Sequence, residues 1–269
     1  MRDLKPVRRT KLRLILGRLY YTLRRRIYWI FGNFKFAGIQ DKILPYKCFS
    51  HRTPLIRELK DADMYLQYNK IQNLKLAVSK LNGVIINPGE TFSYWKLIGK
   101  PTRRKGYLEG MILFCGTVRS GIGGGLCQLS NLIYWMTLHT PLTVVERYRH
   151  SFDVFPDSNR TQPFGSGATC VYNYRDLMIR NDTDRPYQLL LEVTENYLEG
   201  AWMSDRLQMF RYEIYEKNHR MEREYWGGYS RHNELWRKTF DKYESIVKNE
   251  FITENHAMMM YQPYLEMKN

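Results

Sequence analysis

Near Pro141 the hydrophobic periodicity of this chain changes from helical to extended, and that change decides its fold class. Ahead of it, Ile71, Leu74, Val78 and Leu81 recur at spacings of three and four, which puts them on one helical face. Residues 54–82 therefore read as a helix, with Asn82-Gly83 as its stop signal. Val84-Ile85-Ile86 reads as a short buried strand closed by the Asn87-Pro88-Gly89 turn. Cys127 to Leu138 reads as a helix ended near Pro141, since proline lacks the N–H that a helix needs. Beyond that point Val144-Val145, residues 150–155, Cys170-Val171-Tyr172 and Leu177-Met178-Ile179 read as strands. In residues 187–193, Tyr187, Leu189, Leu191 and Val193 alternate with Gln188, Leu190 and Glu192. Gly227-Gly228 marks a hairpin turn within a strand-rich C-terminus. Helices first and strands later predict an α+β fold, with N-terminal helices followed by a mainly antiparallel sheet packed against the Cys-bearing helix.

The charge is concentrated at one end. Residues 1–35 hold eleven Lys or Arg against the single acid Asp3, so they supply +10 of a formal net charge of +15. Within this arm Leu12, Ile15, Leu16, Leu19, Leu23, Ile27, Ile30 and Phe31 form one helical stripe, and Arg8, Arg9, Arg18, Arg25 and Arg26 mostly lie off it. That pattern fits a helix lying on an anionic membrane surface. Nucleic acid, the rival partner for a basic arm, does not call for a continuous Leu/Ile stripe. A helix packed on the domain is the plainer alternative. The Leu14-Ile15-Leu16 run is too short for the apolar region of a signal peptide, and no stretch is long enough to span a bilayer. The expected location is therefore cytoplasmic, peripheral on the inner face of the membrane. The expected organisation is a basic amphipathic helix over 1–35, a main domain over 40–205 and a strand-rich extension over 206–269, with a short polar stretch around Gly38-Ile39-Gln40-Asp41 as the first divider.

The chemistry points to Gly123-Gly124-Gly125-Leu126-Cys127-Gln128. Consecutive glycines mark backbone that bends sharply or approaches something closely, and their N–H groups can form a nest for an anion or oxyanion. Cys127 would open the following helix, where the dipole favours a thiolate. A nucleophile needs a base and an orienting group. His150, at the head of a strand-like run, is the best base among six histidines, and Asp176 or Asp153 could orient it. Cys on a helix followed by His and an acid on strands matches the papain-like order in outline. The plain alternatives are a packed cysteine, a tight backbone crossing and a satisfied histidine. A zinc site from Cys127, His150 and Cys170 lacks any C-x-x-C or H-x-x-x-H pair, and the Gly run lacks the Lys-Ser/Thr of a P-loop, so neither a metal nor a nucleotide cofactor is expected. Four cysteines lie far apart and read as reduced thiols.

These segments, together with Asn87-Pro88-Gly89-Glu90-Thr91-Phe92-Ser93, Glu146-Arg147, His150-Ser151, Gly165-Ser166-Gly167-Ala168-Thr169 and Asn181-Asp182-Thr183, resemble the VanW family over about residues 65–203. The stretch from Trp236-Arg237 to Gln262-Pro263 is similar to the tail of its vancomycin-resistance members. Gly167-Ala168-Thr169 departs from the Asp-Ala-Thr triplet of many members, which removes one acid from any borrowed site. The resemblance implies glycopeptide resistance and cell-envelope biology without an established reaction. On this reading the expected activity is a Cys-dependent hydrolase or acyltransferase acting on a peptidoglycan precursor or peptide. Cys127 would be nucleophile, His150 base, Asp176 or Asp153 the orienting acid, and Gly123, Gly124, Gly125, Gln128 and Ser151 the groups that hold substrate. The alternative is a non-catalytic binding or scaffold protein that uses the Gly-rich loop and a strand face bearing Tyr172 and Tyr174.

Overall fold

A computed structural model describes residues 10–56, 64–114, 116–154, 162–172 and 175–263. The first half holds α1 (Lys11–Phe31), β1 (Lys35–Phe36), β2 (Gly38–Ile39), β3 (Tyr46–Pro54), α2 (Met64–Leu81), β4 (Val84–Ile86), β5 (Glu90–Ser93), α3 (Tyr94–Ile98), β6 (Glu109–Phe114), β7 (Thr117–Ile122) and α4 (Cys127–Leu138). The second half is all strand: β8 (Thr143–Glu146), β9 (Phe152–Asp153), β10 (Met178–Arg180), β11 (Tyr187–Val193), β12 (Tyr197–Ser204), β13 (Arg211–Arg223), β14 (Tyr229–Phe240) and β15 (Ile246–Met259). This is the α+β order expected from the change at Pro141.

The central layer is a five-stranded antiparallel sheet in the order β2-β4-β11-β12-β3. Against it pack α2, through Leu74, Ala77, Val78 and Leu81, and α4, through Leu129, Leu132, Ile133 and Met136, all buried. Trp202 of β12 is wholly enclosed and its indole N–H donates to Thr137 Oγ1 of α4 at 3.2 Å. A second sheet runs β1-β5-β10-β8, and a third runs β13-β14-β15-β9. In the third sheet β9 joins β15 in parallel, so a strand from the middle of the chain edges the C-terminal sheet.

Several local expectations shift. The helix expected over 54–82 is confined, among the described residues, to Met64–Leu81, and Pro54 instead closes β3. The polar divider at 38–41 contains β2, which pairs with β4, because the Gly38-Ile39 backbone completes the sheet edge. Cys170-Val171-Tyr172 forms only a single bridge, Val171 to Arg175. Of the run 150–155 only Phe152–Asp153 is a strand, and Phe155 lies outside the described residues. Gln188, expected on the polar side of β11, is buried because its amide accepts from Leu44 N–H at 2.9 Å and donates to the Lys42 carbonyl.

The α1 helix leaves its Leu/Ile stripe in solvent: Leu16, Leu23 and Ile30 are 55%, 60% and 71% exposed. It is attached through Trp29, which packs partly buried against the core, and through one polar contact. Arg25 donates twice to the Glu146 carboxylate on β8, at 2.5 and 2.7 Å, with both side chains largely shielded. Among the described residues no helix is long and apolar enough to cross a membrane. Residues 1–9, with Arg2, Lys5, Arg8 and Arg9 of the arm, lie outside the described residues.

Candidate functional site: a glycine corner and an arginine-lined cleft

The β6–β7 hairpin delivers the chain into Gly123, and the glycines turn it onto α4. Gly123 and Gly125 have φ of +76° and +89°, a region that side chains with a Cβ rarely adopt. All three N–H groups are used internally: Gly123 donates to the Leu108 carbonyl at 2.9 Å, Gly124 to Gly121 at 3.0 Å and Gly125 to Met111 at 2.9 Å. Asn73 of α2 locks the corner from behind, donating to the Gly124 carbonyl at 2.9 Å and accepting from Leu108 N–H at 2.8 Å. The run is thus a close crossing of backbone. The nest expected of it has no free donor to offer an oxyanion.

Cys127 does open α4, but its sulfur points inward and donates to the Cys170 carbonyl at 3.8 Å. The residue keeps some accessible surface, yet burial of the thiol pushes its pKa above the usual value, against the lowering expected from the helix end. Cys170 is buried beside it and shifted further in the same direction by burial. The polar neighbours of Cys127 are structural too. Gln128 donates from its side chain to Thr53 Oγ1 at 3.0 Å and to the Pro54 carbonyl at 2.8 Å, which ties α4 to β3. Ser130 donates to the Ala168 carbonyl at 2.7 Å, and Asn131 Oδ1 accepts from Ala168 N–H at 2.8 Å.

His150 lies near Arg149 and Arg175. Among the described residues no hydrogen bond joins it to Cys127. Burial, then the nearby Arg175 and Arg149, push its pKa down to about 4, so its imidazole is neutral and a weak base at pH 7. Asp176 is 1% exposed and accepts from Ser93 Oγ at 2.5 Å and from the N–H groups of Trp95 and Leu177, both at 2.9 Å. It braces the start of α3, and burial raises its pKa to about 6. Asp153 faces Arg231 at 3.4 Å and accepts from Tyr261 Oη at 2.9 Å. Neither acid hydrogen-bonds to His150 among the described residues. No hydrogen bond among the described residues therefore joins Cys127, His150 and either acid. Tyr172 packs edge-on against Trp95, and Tyr174 lies outside the described residues.

What the fold does assemble is a cleft of about 620 Å³ where the β8–β9 connection meets the C-terminal sheet. One wall carries Arg149, Ser151 and Arg175, and the facing wall carries Glu224, His232 and His256. Ser151 is exposed there, while its carbonyl accepts from Met258 N–H at 3.0 Å. Arg147 is a strut: it donates to the Gly167 carbonyl at 2.9 Å and to the Gly165 carbonyl. Arg149 differs. Among the described residues it makes no hydrogen bond or ion pair, lies over Phe164 at 5.9 Å, and has its pKa lowered to about 10 by burial and by Arg147. A half-buried guanidinium on a cleft wall suits an anionic ligand. His150-Ser151 is the sequence signal nearest to this wall. The facing wall leaves no local signal, since register across three strands builds it.

The glycine corner and the Cys-headed helix thus sit in a segment tied by the side chains of Asn73, Asn131 and Asn181, the last donating to the Ile86 and Arg185 carbonyls. Residues 69–203 match the family described as VanW like protein, and the chain belongs to it. It is similar to the vancomycin B-type resistance protein VanW of Enterococcus faecalis, 39% identical over 176 residues that cover 65% of this chain and 64% of that protein. It is also similar to YoaR of Bacillus subtilis, an uncharacterized protein, at 30% identity over 118 residues, 44% of this chain and 37% of YoaR. The chain thus spans less than two thirds of the length of either relative. No solved structure matches it.

Proposed function

We propose that this chain is an accessory protein of glycopeptide resistance and cell-envelope biology that holds an anionic envelope component, such as a phosphate-bearing peptidoglycan precursor, without turning it over. The observation that carries this reading is Arg149, a half-buried guanidinium that makes no hydrogen bond or ion pair among the described residues, with Asp153 and Glu254 acting on it only at longer range, set in a cleft beside Ser151. The inward Cys127 thiol, bonded to the Cys170 carbonyl, supports binding over chemistry. Equilibrium binding of a lipid-linked pyrophosphate precursor tests it. Binding should saturate, survive Cys127→Ser, and weaken about tenfold or more in Arg149→Gln, the loss of one charge-assisted contact. Equal affinity in Arg149→Gln would overturn the reading.

The Cys-dependent hydrolase or acyltransferase is the second reading. Its support is the position of Cys127 as the first residue of α4 behind the glycines. Turnover of a precursor that disappears in Cys127→Ala, with the fold intact, would establish it over the first.

The exposed stripe of α1 supports a location at the inner face of an anionic membrane. Sedimentation with vesicles rich in phosphatidylglycerol should be lost in Leu16→Asp/Leu23→Asp, and retention by that variant would remove the arm from the account.

A further inference from the structure

We infer that the C-terminal sheet carries a divalent transition-metal site, with Glu222, Glu224 and His232 as ligands. Strand register creates it. Glu222 of β13 stands opposite Ser230 of β14, and two residues along, Arg220, His232 and His256 align across β13, β14 and β15. Side chains two apart on a strand share a face, so Glu222, Ser230, His232 and His256 crowd together. Glu224 is brought alongside by the β13–β14 turn, in which Glu224 N–H donates to the Gly228 carbonyl at 2.8 Å and Gly227 N–H to the Glu224 carbonyl at 2.9 Å.

The three groups each offer one ligand atom, and those atoms all lie within 4.8 Å of one another. A tetrahedral ion with bonds of about 2.0–2.2 Å needs its ligand atoms about 3.3–3.5 Å apart, so small side-chain rotations close the set. His232 Nε2 already lies 3.9 Å from Glu222 Oε2.

The surrounding groups orient the carboxylates, and Ser230 holds the imidazole nitrogen that an ion would take over. Arg220 Nε donates to Glu222 Oε1 at 2.6 Å, on the oxygen opposite to the one that faces His232. Ser230 donates to Glu224 Oε1 at 2.5 Å and lies 2.8 Å from His232 Nε2. Because its one proton goes to Glu224, the His232 ring carries its hydrogen on Nε2 in this state. On metal binding that hydrogen moves to Nδ1 and Nε2 bonds the ion, with no net proton change. The Arg220 contact, on the Glu222 oxygen away from His232, is of the kind that fixes metal ligands, whereas the Ser230 contact to Nε2 is exchanged for the ion. Two carboxylates offset the charge of a divalent ion, and an imidazole favours Zn²⁺, Co²⁺ or Mn²⁺ over Ca²⁺ or Mg²⁺. His256, with its ring 5.8 Å from that of His232, stands where a fourth ligand would enter. The cleft with Arg149 lies on the same side.

The plainer alternative is an exposed charge cluster on a hairpin that binds no ion, and the experiment separates the two. The full chain is stripped with a chelator and titrated with ZnCl2 by calorimetry, then with CoCl2 by visible absorption. One equivalent of Zn²⁺ should bind. Saturable binding should disappear in His232→Asn/Glu224→Gln. The Co²⁺ spectrum should be that of nitrogen and oxygen ligands. No saturable Zn²⁺ binding, full binding by the double variant with unchanged circular dichroism, or thiolate charge-transfer bands from the cysteines would each overturn the proposal. Because the probe is the metal alone, the result stands apart from any failure to bind a precursor.

Discussion

Gly110 and Gly124 meet backbone against backbone: a Cβ on either one would overlap the carbonyl of the other. Neither neighbour is the mobile end of a side chain, so the crossing admits hydrogen only. Gly124→Ala should therefore cost about 3 kcal/mol or more, at the upper end of overpacking penalties. Gly89→Ala is the control. Gly89 has a φ of +77° and open space around it, so it should lose only the ~1–2 kcal/mol of left-handed strain. Urea midpoints at constant m-value would measure both, and a loss at Gly124 no larger than that at Gly89 would show that the crossing yields to a Cβ.

The cysteines should be slow. Burial pushes Cys48 up to about 11 and raises Cys127 and Cys170. Near neutral pH none of the three should alkylate with iodoacetamide as fast as a free cysteine, and rates should rise on addition of denaturant. Peptide mass spectrometry assigns each site. Rapid labelling of Cys127 in native buffer would return the thiol-enzyme reading to first place.

His139 sets one acid limit on stability. Its ring stacks on Phe49 with centroids 3.9 Å apart, Trp135 closes the edge, and burial lowers its pKa to about 4. Unfolded chains take up the proton below about 6.5 and the native one does not, so this histidine withdraws stability as pH falls from about 6.5 to 4. The loss is up to about 3 kcal/mol. His139→Phe should remove its share of that loss, leaving the balance between His150, of the same sign, and Asp176, of the opposite sign. An unchanged profile would show that His139 titrates normally.

Asp176 acts in the opposite sense. Its native pKa of about 6 exceeds the ordinary 3.8, so the native state binds its proton more tightly. This residue adds stability as pH falls from about 6 to 4 and contributes none of that gain above 6, an effect of about 3 kcal/mol. Asp176→Asn can still accept from Trp95 and Leu177 and donate to Ser93. It should equal or exceed the parent at pH 8, whereas Asp176→Ala strands two backbone donors and should cost about 2–4 kcal/mol. Thermal melts across pH 4–8 distinguish the three proteins, and an Asn variant as damaged as Ala would refute the account.

What can be read from the residues is what local chemistry writes. The span of α4, Cys127–Leu138, follows from the glycines before it and Pro141 after it, and β4 follows from three consecutive apolar residues. The pattern of α2 extends too far, back to 54, because its stripe carries no stop on the N-terminal side, and nothing local shows that Pro54 pairs with Tyr197 on β12. The candidate triad is not hydrogen-bonded together among the described residues for a related reason: order along the chain fixes no contact, and Asp176 spends its oxygens on Ser93, Trp95 and Leu177. Likewise, Glu222 and His232 are ten residues apart and become neighbours only through the pairing of β13 with β14 beside their turn.

The edge strand β3 has a consequence for anyone working with the relatives. The segment by which the family is recognised begins at residue 69, yet β3 ends at Pro54 and shields β12 along its whole length, while β2 closes the opposite margin. Cut out at its recognised limits, that segment would lose both borders of its central sheet and bare two ladders of unpaired amides. It is a signature of ancestry rather than a unit that folds alone, and a chimera between relatives should exchange residues 38–54 along with it.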